Sequence, residues 1–100
     1  MTFQPLGTIN ASAPTNALIG TGSGKAVAEN INRVGLILTN ISTSTMYLAL
    51  MNFTATLNAG IVLTPNGGVW TMDAFNFNNS QINAVAHSAN NILSILEFIR

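Results

Sequence analysis

The chain has 100 residues, three basic and three acidic, with one histidine, no cysteine and a net charge of zero. That length makes one domain, and the missing cysteines exclude disulfides and thiolate metal sites. Lys25, Arg33 and Arg100 are too few and too scattered to track phosphates or anionic lipid, so neither nucleic acid nor a membrane is an expected partner.

Charged residues make up only 6% of the chain, where an average domain has about 25%. Asn, Thr and Ser take their place. Charge is depleted at the cores of protein interfaces, so one account is a surface largely covered by partner subunits. The plainer account is a polar, uncharged surface that is soluble enough. The stretch Met1-Thr-Phe-Gln-Pro-Leu-Gly7 has no basic region followed by an apolar run, so it does not read as a secretion signal. No apolar run reaches the length of a membrane-spanning helix.

Residues 1–24 read as an extended N-terminal arm. Phe3, Leu6 and Ile9 are isolated apolar residues among Pro, Gly, Asn and Ser, and Thr15–Ile19 has the composition of a short strand. Gly20-Thr-Gly-Ser-Gly24 is a linker by composition. Residues 25–100 read as the folded domain. A short strand is expected at 25–28 and a bend at 29–32.

The strongest strand signal is Arg33-Val-Gly-Leu-Ile-Leu-Thr-Asn40. Val34, Leu36 and Leu38 share one parity and should face a core, while Arg33, Gly35, Ile37 and Thr39 share the other. After the polar turn Ile41-Ser-Thr-Ser-Thr45, residues 46–50 form the next strand, with Met46, Leu48 and Leu50 on one face. The short connection predicts an antiparallel hairpin.

Residues 51–59 read as a loop whose Phe53 and Leu57 fold back as plugs. A short strand follows at 60–63. Thr64-Pro-Asn-Gly-Gly68 is the sharpest turn signal, because proline sets the first corner and Asn-Gly accepts positive φ. The chain then returns along 69–72. In the loop at 73–80, Phe75 and Phe77 are placed to reach the core or a partner. Residues 81–87 form a strand, with Ile82, Ala84 and Ala86 opposite Asn83, Val85 and His87. After a turn at 89–91 the last strand, 92–99, is apolar on both parities except for Ser94 and Glu97, which predicts a central or covered position. The predicted fold is all-β: one small antiparallel β-sandwich or jelly-roll-like domain with an N-terminal arm.

Chemistry is sparse. Gly20-Thr-Gly-Ser-Gly-Lys25 resembles a phosphate loop only superficially: the glycine five positions before the Gly-Lys pair is Ile19, and Ala26 stands where Ser or Thr would hold magnesium. His87 is the one histidine, and only Glu29, Asp73 and Glu97 could join it in a metal site or a serine triad. It reads more simply as a strand-end histidine. No catalytic, cofactor-binding or metal-binding residue is therefore assigned, and no enzymatic activity is expected. Asn-x-Ser/Thr sequons at Asn10, Asn40 and Asn52 are expected by chance in such a composition. Trp70, Tyr47 and Phe77 are candidates for a glycan surface, against the simpler reading of core or interface anchors. Arg33 and Glu97 are expected to pair if their strands are neighbours, fixing register.

The pieces Asn30-Ile-Asn-Arg33, Leu36-Ile-Leu-Thr-Asn40, Tyr47-Leu-Ala49, Gly60-Ile-Val-Leu-Thr-Pro65, Ile82-Asn-Ala84 and Glu97 stand in that order. Together they resemble a pattern common in small virion proteins of tailed bacteriophages. The resemblance covers about two thirds of the chain, residues 30–100, and leaves the arm outside. It implies a β-sandwich subunit of a phage particle, located on the virion. The expected role is a capsid decoration (cement) protein that bridges major capsid subunits. A head-fibre, spike or tail subunit with a glycan ligand is the alternative. The implied partners are the major capsid protein or other virion proteins, together with further copies of the chain, a homotrimer by preference. The pattern transfers no catalytic residues and no cofactor.

Overall fold

The alternating stretches form strands, and the computed structural model, which describes residues 9–73 and 75–100, has no helix among them. The strands are β1 (Asn10–Ala11), β2 (Thr15–Ile19), β3 (Gly24–Val27), β4 (Arg33–Asn40), β5 (Met46–Ala49), β6 (Ile61–Leu63), β7 (Gly68–Thr71), β8 (Ile82–Ala86) and β9 (Asn91–Ile99). They build two antiparallel sheets. In the first, β9 and β4 lie side by side, β7 flanks β4, and both β1 and β2 pair with the free edge of β9. The second runs β3-β8-β5-β6.

The pairings are nested. β5 pairs with β6, β4 with β7, β3 with β8 and β2 with β9, all antiparallel. One long two-stranded ribbon with its tip at residues 50–60 has therefore rolled up into two layers. That is the jelly-roll arrangement. Residues 10–19 of the expected arm supply β1 and β2 to the first sheet, and residues 20–23 carry the chain across to the second. Phe3 and Leu6 lie outside the described residues.

The strand at 33–40 and the one at 46–50 were expected to form a hairpin, and they do not. β4 lies in the first sheet and β5 in the second. The same holds for β6 and β7 across the Pro-Asn-Gly-Gly turn, and for β8 and β9 across residues 87–90. The local chemistry of the first of these turns is as expected, with Asn66 at φ 59° and Gly67 at φ 119°. Turn chemistry reverses the chain but does not decide which strands share hydrogen bonds. That is settled by β9: apolar on both faces, it needs a central seat, and among the described residues β4 is the one other strand of comparable length. Their seven-residue register binds more chain than any hairpin between neighbours.

The core lies between the sheets. Leu36, Leu38, Leu93 and Ile95 from the first meet Met46, Leu48, Leu63, Ile82, Ala84 and Ala86 from the second, all buried. The expected parity of β4 thus holds for Leu36 and Leu38. Trp70, opposite Leu38 on β7, packs on the edge of this core.

Asn40 ends β4 on the core side and is fully buried. Its Nδ2 donates to the Ser44 and Leu63 carbonyls at 2.7 and 3.0 Å, and its Oδ1 accepts from the Ser42 amide and hydroxyl at 3.0 and 2.7 Å. One side chain thereby closes the crossing from β4 to β5 and ties it to β6. Asn40→Ala should cost about 2–3 kcal/mol in urea unfolding, because it strands buried carbonyls without donors.

Candidate interaction surface

Strand direction sorts the connections into two ends. At one end lie the starts of β4 and β8, the ends of β3, β5, β7 and β9, and the connections at 28–32, 50–60 and 72–81. Arg33 organises this end. By simple alternation it should share the outer face with Gly35 and Ile37. A bulge in the β4–β9 register between Arg33 and Gly35 reverses its parity and turns it inward, beside Glu97.

Arg33 is buried there, at 1% exposure. Its Nε donates to Glu97 Oε2 at 2.7 Å, so the expected pair forms. Nη1 donates to the Asn78 and Ser80 carbonyls at 3.3 and 2.9 Å, and Nη2 donates to the Ala28 carbonyl. Asn30 Nδ2 adds a bond to Glu97 Oε1 at 3.3 Å. A single guanidinium thus pins two connections and the last strand together. The fixed fork of five N–H donors makes Arg, and not Lys, able to do this.

This end displays exposed apolar side chains beside the exposed charges Glu29, Asp73 and Arg100. Ile9, Ile31, Met51, Phe53, Phe75 and Phe77 are all exposed at this end. Phe75 and Phe77 therefore do not reach the core. The expected plugs Phe53 and Leu57 are exposed as well; Ala55 is the residue of that loop that tucks in, packing on Tyr47 and Val85. The loop lies against the outer face of the second sheet, where its Ala55 amide donates to Ser23 Oγ and its Phe53 carbonyl accepts from Asn83 Nδ2. An alanine fits that close approach, so the large side chains on either side point away.

Beneath this loop an open cleft of about 420 Å³ is lined by Leu48, Leu50, Met51, Phe53 and Ile61, with no charged residue on its walls. The outer face of the first sheet is also free of charge. Its rows are Leu18 beside Ile92, then Asn16, Ser94, Thr39 and Val69, then Leu96, Ile37 and Thr71, then Phe98 over Gly35.

The residues considered for chemistry do not converge. His87 is exposed at the opposite end from Asp73 and Glu97, and its Nε2 meets Tyr47 Oη at 3.0 Å. Among the described residues no three His, Cys, Asp or Glu side chains gather as a metal group. Lys25 is an exposed strand residue opposite Asn83, and its glycine-rich approach is a crossing between sheets. Tyr47 lies on the outer side of the second sheet under Asn58, whereas Trp70 faces inward from the first, so these two aromatics share no groove. Of the sequon asparagines Asn40 is buried, and so is Asn78, which opens a fourth such sequence, Asn78-Asn-Ser80.

No family model matches the chain, and comparison with curated proteins and with solved structures finds no match either.

Proposed function

We propose that this chain is a structural subunit of a tailed-phage virion, and within it a decoration protein that docks on the outside of the capsid and bridges major capsid subunits. The observation that carries this reading is the loop end organised by Arg33. Six exposed apolar residues stand at that end, Ile31, Phe75 and Phe77 on the connections that Arg33 pins, beside the exposed charges Glu29, Asp73 and Arg100. Exposed Met and Phe are enriched in interface cores, with charges at the rim, and exposed apolar residues rimmed by polar ones mark an interaction site. The motif resemblance of residues 30–100 to small virion proteins supports the same reading. The jelly roll is used by viral capsid proteins, among others, and is compatible with it.

The mechanism is mechanical. A subunit that binds the closed shell and not its separated parts stabilises the shell by mass action, by about 2.7 kcal/mol per site at a free concentration of one hundred times Kd. The uncharged outer face of the first sheet leaves a second surface for other copies of the chain.

The test is the number of copies per particle, from mass spectrometry of purified virions against labelled peptides. Hundreds of copies per particle are expected. A dozen or fewer would move the chain to a vertex, spike, fibre or tail, and its absence from particles would overturn the virion reading.

A further inference from the structure

The turn between β6 and β7 carries reactive chemistry of its own. Asparagine is a thermolabile residue. Its side-chain amide can be attacked by the backbone nitrogen of the residue that follows, and a side chain on that residue obstructs the approach. Asn66-Gly67 is the one Asn-Gly pair in the sequence; every other asparagine is followed by a residue with a side chain. Asn66 and Gly67 are both exposed, and a Cβ placed on Gly67 would meet nothing within 4 Å. The turn stands at the end of the fold opposite Arg33, where β4 finishes and β7 starts with Asn40 beside Gly68.

The reaction asks two things of the backbone. The Gly67 nitrogen must give up its proton, and it must swing toward Asn66 Cγ. The fold withholds both. Asn66 lies in the left-handed region at φ 59° and Gly67 at φ 119°, values that asparagine and glycine accept. The Gly67 amide donates to the Asn40 carbonyl at 2.8 Å, and the Asn66 amide donates to the Ser42 carbonyl at 2.9 Å. An amide proton shared with a carbonyl is harder to lose, and a peptide unit tied on both sides does not rotate freely. The acceptors are fixed in turn. Asn40 is fully buried, and its Oδ1 accepts from the Ser42 amide and hydroxyl. The turn and the crossing from β4 to β5 therefore hold each other.

We propose that Asn66 is the deamidation site of this chain, latent while its turn is tied to Asn40 and Ser42 and released when that contact opens locally. In the open turn the Gly67 nitrogen bonds to Asn66 Cγ and closes a five-membered succinimide. The Cγ–Nδ2 bond breaks, and Nδ2 leaves as ammonia with the proton that Gly67 gave up. Water then opens the ring at one of its two carbonyls and leaves aspartate or isoaspartate. Water is the only co-reactant, and nothing is oxidised or reduced. Either product adds one negative charge to a chain whose net charge is zero. Isoaspartate also routes the backbone through the former side chain and lengthens it by one methylene. The Gly67 amide then no longer meets the Asn40 carbonyl in the old register, so the modified turn keeps a permanent mark of having opened. Local openings of this kind need less free energy than global unfolding, and the rate follows the population of the open form.

Peptide mass spectrometry of the full chain, incubated at mildly alkaline pH, tests this, with isoaspartyl methyltransferase labelling to tell isoaspartate from aspartate. In guanidinium chloride Asn66 should deamidate before any other asparagine. In the folded chain at the same pH and temperature it should react more slowly by about 10-fold or more, because two amide hydrogen bonds must open first. Asn40→Ala frees Ser42 and should speed the reaction of the folded chain about 5-fold or more. Ser42→Ala, which loses only the hydroxyl bond to Asn40, is read in its place if Asn40→Ala does not fold, with an expected gain of about 3-fold. Arg33→Met is the control. It removes a larger share of the global stability from the opposite end, and in the folded state it should leave the Asn66 rate unchanged. The proposal is overturned by an unfolded chain in which another asparagine reacts first, or by a folded chain that reacts as fast as the unfolded one. It is overturned equally by a folded variant at Asn40 or Ser42 that is no faster than wild type, or by Arg33→Met accelerating the reaction as much as that variant does.

Discussion

Arg33→Met should destabilise the fold by about 3–5 kcal/mol in urea unfolding, the usual loss when one partner of a buried ion pair is removed. The loss has two sources. Glu97 keeps its charge and loses its partner, and the carbonyls of Ala28, Asn78 and Ser80 lose their donors. Glu97 is 19% exposed, so water relieves part of its penalty and the lower half of that range is expected. Glu97→Gln should cost less, about 1 kcal/mol, since the amide oxygen still accepts from Arg33 and only the charge assistance is lost. Combining Arg33→Met with Glu97→Leu should recover part of the loss, because no unpaired charge then remains. Full recovery would show that the three carbonyls matter little. A loss under about 1 kcal/mol for Arg33→Met alone would show that water replaces the guanidinium, and that the loop end is not held as described.

Leu38→Ala should cost about 2–5 kcal/mol, and Ile37→Ala, one residue away, about 1 kcal/mol or less. Leu38 is fully buried between Ile95 and Trp70 on the inner face of β4. Ile37 stands on the outer face between Leu96 and Thr71 and is only partly covered. The truncation is similar in both, but a cavity opens only on the inner side. Urea unfolding at low protein concentration measures the difference. Equal losses would mean that the outer face of the first sheet is covered as tightly as the core.

Much of the fold was legible because strands announce themselves locally. The β4 alternation placed Leu36 and Leu38, the two-sided apolar run of β9 placed it centrally, and the separate pairs Ile82/Ala84/Ala86 and Asn83/Val85 marked the two sides of β8. The scarcity of surface charge is visible in the composition, whereas Phe75 and Phe77, expected at the core or at a partner, are exposed and outside the core. The cleft was not legible, since it depends on how residues 50–60 lie over the second sheet. The turning-in of Arg33 was hidden too, because a one-residue bulge leaves no mark in an alternating pattern. A cue did exist: an arginine opening an aliphatic strand, with a glutamate as the only charge in the strand that pairs with it.

By itself the sequence determined an all-β domain with an apolar core, its turns, and a surface almost without charge, because side-chain alternation and turn chemistry act over a few neighbouring residues. Tertiary structure alone decided that three expected reversals are crossings between sheets, that Arg33 is an interior hub, and that exposed Phe and Met side chains gather at one end. Those outcomes depend on which distant strands compete for the long central strand β9, and that competition is settled by burial and hydrogen bonding across the whole chain.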